Sequence, residues 1–238
     1  MEDWILLVVI VLAASLLQTS TGYGFSIIGT PFLFLIYPAH TAIQINIILS
    51  LCLSFVMIYN IRKEIDRVLL TRLIKGSILG LVPGIFIYLY VDVQWLKMVV
   101  GGLILLLTAL LILKLTVRQT VTKDYVTGGI SGLLTTSIGV PGPPLLLYFA
   151  GVGTRKETLR STTLAYYLFV YLASLIMQIG LDGTNPETWI SAAIALPSLF
   201  LGIFLGQFLF KYMNQQVFKM ITYVILLFTG LYLLISSM

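Results

Sequence analysis

Two clusters of neutral hydrogen-bond donors each run into a cluster of helix-breaking residues, and that pairing could do chemistry. In the first, Gln18, Thr19, Ser20 and Thr21 precede Gly22, Tyr23, Gly24, Gly29 and Pro31; in the second, Thr135, Thr136 and Ser137 precede Gly139, Pro141, Gly142, Pro143 and Pro144. The two are copies, since Leu16, Leu17, Thr19, Ser20 and Gly22 recur as Leu133, Leu134, Thr136, Ser137 and Gly139, each 117 positions later (133 − 16). Breaking a helix frees backbone N–H groups, and the exposed end carries the positive pole of the helix dipole. Hydroxyls, amides and freed N–H groups together suit an anion. Gln44 and Asn46 align with Ser161 and Thr163, which places matching polar patches near the start of the segment that follows each break. The candidate binding residues are therefore Thr19, Ser20, Gly22, Tyr23, Gly24, Gln44, Asn46, Thr136, Ser137, Gly139, Pro141, Gly142, Ser161 and Thr163. Any one Ser or Thr could equally cap a helix or bond between helices; symmetric clusters favour a site.

Other chemistry finds little support. There is no nucleophile with an evident base, no phosphate loop and no metal-ligand cluster, so no catalytic residue, metal or cofactor is expected. Cys52 is the single cysteine and lies in an apolar run, which excludes a disulfide framework. No Asp, Glu, Lys or Arg reads as deep in an apolar segment, so the usual carboxylate for proton or sodium coupling is missing. His40, the only histidine, reads as an interfacial group at a segment end. Tyr166, Tyr167 and Tyr171 could line a pathway, but read better as packing or interfacial anchors.

The elements that must hold the two clusters are set by composition. Of 238 residues, 59% are hydrophobic and only 10% charged, which specifies an all-α polytopic membrane protein. Apolar runs fall at about 4–17, 25–37, 41–59, 73–90, 95–113, 125–138, 139–149, 161–179, 189–210 and 220–236, most near the ~20 residues that span a bilayer. Glu2 and Asp3 stand where a signal peptide would carry Lys or Arg, so the first run is kept as structure. The run at 139–149 is short for a span, leaving the count between eight and ten membrane segments. A second repeated block matches Gly80, Gly84, Tyr90, Gln94, Lys97 and Met98 to Gly202, Gly206, Tyr212, Gln216, Lys219 and Met220, offset by 122 (202 − 80). Its paired glycines are expected to permit close helix packing.

Orientation follows from the basic residues. If the connection carrying Arg62 is cytoplasmic, all of the 14 Lys and Arg except Lys97 fall on that side. The net charge of +5 is then loop charge, and nucleic acid is not an expected partner. Each broken, hairpin-like segment returns the chain to its starting side and is followed by three more spans, which reverse direction. The halves, 1–116 and 117–238, are therefore expected to be inverted repeats of one membrane domain, with both termini outside.

The sequence Thr19-Ser20-Thr21-Gly22-Tyr23-Gly24 followed by Phe25 and Pro31, with its counterpart Gly139-Val140-Pro141-Gly142-Pro143-Pro144, resembles the sulfite exporter TauE/SafE family over nearly the whole chain. The resemblance implies a carrier in the inner membrane of a bacterium or archaeon, often an exporter. Its substrates would be sulfur-containing anions such as sulfite, sulfonates, sulfoacetate or thiosulfate. Matched breaks in inverted repeats independently suggest a secondary transporter with a midplane site. The expected partners are a small anionic substrate and the lipid bilayer, with a homodimer left open. An anion channel, and a membrane-embedded enzyme or receptor that transports nothing, are the alternatives.

Overall fold

A computed structural model describes residues 2–112, 118–212 and 214–237, and all regular structure among them is helical. Ten α-helices follow in order: α1 (Glu2–Thr21), α2 (Phe25–Leu33), α3 (Ala39–Ile61), α4 (Arg67–Tyr90), α5 (Val93–Ile112), α6 (Val121–Ile138), α7 (Gly142–Val152), α8 (Lys156–Asp182), α9 (Pro186–Tyr212) and α10 (Gln215–Ser237), with a 3-10 turn at Arg62–Glu64. Stretches of α1, α3, α4, α8 and α9 are long and apolar enough to cross a membrane. By contrast α2 and α7 have 9 and 11 residues. At about 1.5 Å per residue they cover roughly half of a ~30 Å hydrocarbon core.

The first helix break falls later than hydropathy suggests, and the second falls at Ile138, where the sixth apolar run ends. Instead of stopping near Leu17, α1 continues through Thr21, because the hydroxyls of Ser20 and Thr21 bond back to the Leu17 carbonyl and keep the polar run helical. The same device operates at the end of α6, where Thr135, Thr136 and Ser137 bond back to Ser131, Gly132 and Leu133. Each helix then stops at a glycine of positive φ, Gly22 (+87°) and Gly139 (+74°), a conformation that a side chain opposes.

Long helices pack in pairs that exchange with the halves of the chain. α4 lies along α6 as α9 lies along α1; α5 pairs with α10, α3 with α8; α4 touches α8 as α9 touches α3. The exchange holds residue by residue. An added Cβ at Gly80 would sit on the Gly129 carbonyl, and one at Gly202 would lie 2.9 Å from the Leu12 carbonyl. Gly84 likewise meets Leu133 and Thr136, and Gly206 meets Leu16 and Thr19. These partners carry the two sequence offsets (202 − 80 = 122; 129 − 12, 133 − 16 and 136 − 19 = 117). The glycine pairs are thus close-packing positions, where backbone meets backbone.

The central helices α3 and α8 run antiparallel. At one end Thr41 accepts a hydrogen bond from Asn185, and Gln44 donates to the Gly183 carbonyl; at the other, Thr162 accepts from the Asp66 amide just past α3. The second end gathers Arg62, Lys63, Arg67, Arg72, Arg155 and Lys156 together with Glu64, Asp66, Asp124 and Glu157, while the first holds His40, Asp182 and Glu187. Among these residues the Lys and Arg side chains lie at the second end, hereafter the basic end, and the first is the acidic end.

Two charged groups are more enclosed than sequence reading allowed. Asp124, in the first turn of α6, is fully buried, 2.9 Å from Arg72 of α4 and hydrogen-bonded by the Tyr148 hydroxyl of α7. Arg160, in the second turn of α8, is 7% exposed. Both lie near helix ends, and neighbouring helices, rather than depth along their own, enclose them.

Candidate functional site

The site grows from a stripe on each central helix. On α3, Asn46, Ser50 and Ser54 occur at helical spacing along one face; on α8, Thr163, Tyr167 and Tyr171 do the same, and the two sets are equivalent (163 − 46, 167 − 50 and 171 − 54 all equal 117). All six are at most 1% exposed. In each, the Asn46 Oδ1 or the hydroxyl oxygen has no hydrogen-bond partner among the described residues. Buried polar groups are nearly always paired, so six such atoms on two facing helices make these stripes the candidate place for a polar guest. The Tyr167 and Tyr171 rings are 5.1 Å apart, and Ser26 and Ser50 lie beside Tyr171.

The chain that follows each break comes to this stripe. Gly142 opens α7 against the Tyr167 hydroxyl and Ile27 of α2, where an added Cβ would stand 3.1 and 3.3 Å away. Asn46 donates 2.9 Å to the Gly139 carbonyl, and its Oδ1 would be 3.1 Å from a Cβ on Gly29. The two helix starts offer different chemistry. Gly24 precedes α2 without a side-chain cap, leaving the N–H groups of Phe25, Ser26 and Ile27 with no intrahelical acceptor. α7 begins Gly142-Pro143-Pro144, and its prolines have no N–H to give. Donors from a broken helix thus come from the first half.

The expected residues separate into groups. Thr19 and Thr163 are buried with free hydroxyls. Ser20, Ser137 and Ser161 return their hydroxyls to their own helix, and Thr136 divides its hydroxyl between Gly132 and Ser174. The Pro141 carbonyl accepts from Ser131. Tyr23 is buried near Tyr167, and an added Cβ on Gly24 would stand 3.3 Å from that of Leu17. Gln44 stands apart, lining a cavity of about 260 Å³ at the acidic end with His40, Thr41, Asp182 and Asn185. There His40 is 2.8 Å from Asp182 and stacks on Tyr88, so it is a structural tie between α3 and α8 and not a free loop group. Gly22 lies against Arg160 near the start of α8 and Gly139 against Asn46 near the start of α3. With α3 and α8 antiparallel, those glycines lie toward opposite ends, and Ile27, Gly142 and Tyr167 meet between them.

Sequence reading did not include Ser26, Ser50, Ser54 and Arg160 among the candidates, and ranked a pathway role for Tyr167 and Tyr171 behind packing or anchoring. A comparison of identical residues could not find them, because Ser50 and Ser54 align with tyrosines and Arg160 with Ile43 (160 − 117). A signal was present: a polar residue at every third or fourth position of both helices.

A membrane-embedded helical bundle holding buried, unpartnered donors between two broken helices, with no cluster of metal ligands among the described residues, is the architecture of a transport protein. The family model "Sulfite exporter TauE/SafE" matches residues 6–233, and the chain belongs to that family. It is a multi-pass membrane transporter and not an enzyme. Neither curated proteins nor solved structures give a match.

Proposed function

We propose that the protein is a secondary carrier that moves a small sulfur-containing oxyanion, such as sulfite or an organosulfonate, out of a prokaryotic cell across its inner membrane. The observation that carries this reading is the matched pair of buried stripes, Asn46-Ser50-Ser54 and Thr163-Tyr167-Tyr171, with unpartnered oxygens between the two breaks. Hydroxyl donors, with the uncapped first turn of α2, can replace an oxyanion's water shell, while the Asn46 amide nitrogen donates to the Gly139 carbonyl. The halves 1–116 and 117–238 act as inverted repeats that rock about this site; the antiparallel α3 and α8 and the exchange of packing partners support that motion. The basic end is cytoplasmic by the distribution of Lys and Arg, and both termini are outside. An inside-negative potential favours expulsion of an anion by about 2.3 kcal/mol per charge per 100 mV, so export needs no dedicated ion site.

Counterflow in proteoliposomes tests the reading. Vesicles preloaded with unlabelled sulfite, thiosulfate or sulfoacetate should take up the labelled anion faster than empty ones. Flux without such acceleration would assign a channel, and absence of flux with every sulfur oxyanion and sulfonate would remove the carrier.

A further inference from the structure

Arg160 is the one buried residue of the α8 stripe that carries a charge. It sits one turn before Thr163 on the same face, at the basic end, with its Cα where an added Cβ on Gly22 would approach to 2.6 Å. It is 7% exposed, its Nε has no hydrogen-bond partner, and no carboxylate pairs with it among the described residues. Burying a cation without a counter-charge is unfavourable. The only offset described is the Phe210 ring, 4.0 Å from the guanidinium carbon. Lys156, one turn earlier, reaches the same ring at 4.8 Å. An oxyanion beside Arg160 would relieve the cost of its burial, and the planar guanidinium fork matches two of its oxygens.

We infer that Arg160, backed by Phe210 and walled by the Gly22 turn, is an oxyanion-binding station at the basic end, through which the anion passes to Thr163, Tyr167 and Tyr171. The passage rests on the transporter reading above; the binding does not. The station is one-sided. The equivalent position in the first half is Ile43, which faces Gly139 with a methyl group. The anion therefore meets a fixed cation on the basic side and only neutral groups on the other, so affinity is higher at the cytoplasmic face.

The test uses the purified full-length protein, with sodium sulfite, thiosulfate and sulfate as probes and chloride as the ionic-strength control. Without oxyanion, Arg160→Gln should melt at the wild-type temperature or above, because an uncompensated charge has gone. With oxyanion, wild type should gain thermal stability and Arg160→Gln should bind at least tenfold more weakly, Arg160→Lys falling between. In oriented proteoliposomes, KM at the basic face should rise at least tenfold in Arg160→Gln, with little change at the opposite face. An unchanged KM at the basic face overturns the station while leaving the carrier standing; anion binding lost with Arg160 in a protein that moves nothing does the reverse. Wild type stabilised by no oxyanion beyond chloride overturns the station outright. If Arg160→Gln does not fold, Arg160→Lys decides, weaker binding at normal melting supporting the station and unchanged binding overturning it.

Discussion

At the scale of single residues, the division between occupied and free hydroxyls decides which polar groups can serve a ligand. Ser20, Ser137 and Ser161 return their hydroxyls to their own helices, a use that keeps short polar runs helical inside an apolar bundle. Tyr167 and Tyr171 have no such outlet. Removing either hydroxyl deletes a buried group that has no described protein partner, so Tyr167→Phe and Tyr171→Phe should melt at or slightly above the wild-type temperature. Each should lower anion flux by about tenfold or more, since a hydrogen bond to a charged ligand contributes about 1.5–3 kcal/mol. Ser161→Ala should leave flux within about twofold. Flux assays on the three variants check this directly, and equal loss in all three would contradict the division. Gly22→Ala makes a separate demand. At φ +87° and 2.6 Å from the Arg160 Cα, the added methyl is strained and crowded, and flux should collapse while the protein still inserts. Thr19, Asn46 and Thr163 were legible in the sequence because symmetry paired them with polar residues. Arg160 was not, because its basic side chain read as a topology signal.

Among the helices, existence was legible and boundaries were not. Hydropathy alone gave ten segments and the described residues form ten α-helices, yet α1 runs on past Leu17 through the polar run that seemed to end it, while α6 stops at Ile138 as expected. The reason is local, a set of side-chain bonds to carbonyls three or four residues back. The spaced glycines were legible as packing positions, although their partners were not, since nothing in the order of segments says that α4 lies along α6. This pairing makes a sharp forecast. Gly80→Ala drives a methyl into the Gly129 backbone and should cost about 1–3 kcal/mol. Gly102→Ala meets nothing within 4 Å and should be neutral or stabilise by up to about 1 kcal/mol through helix propensity. Thermal unfolding in detergent distinguishes them, and equal effects would refute the close α4–α6 packing. At the acidic end, His40–Asp182, Gln44–Gly183 and Asn185–Thr41 tie the start of α3 to the end of α8. If the halves rock about the stripe, these ties must part when the acidic face opens. Asp182→Asn should therefore make the cavity at the acidic end more reactive toward an impermeant thiol reagent at Thr41→Cys; unchanged reactivity would argue against a latch.

For the whole molecule, the repeat ties sequence, packing and function together. The two offsets read from aligned residues recur in the residues that Gly80 and Gly202 contact. The departures from symmetry mark where the two faces differ: Pro143 and Pro144 remove donors from α7, tyrosines on α8 take the positions that serines hold on α3, and Arg160 takes the position of Ile43. The central claim is that one buried stripe serves both faces of the membrane in turn. Ser50 lies in that stripe, and Cys52 is the only native cysteine, so Ser50→Cys in a Cys52→Ser background reports on the site alone. The decisive measurement is labelling of this variant in oriented vesicles with a membrane-impermeant maleimide, applied from each face with and without saturating sulfite or thiosulfate. The account predicts labelling from both faces, slowed by the transported anion. Labelling confined to one face, or indifferent to every anion that the protein moves, would contradict it.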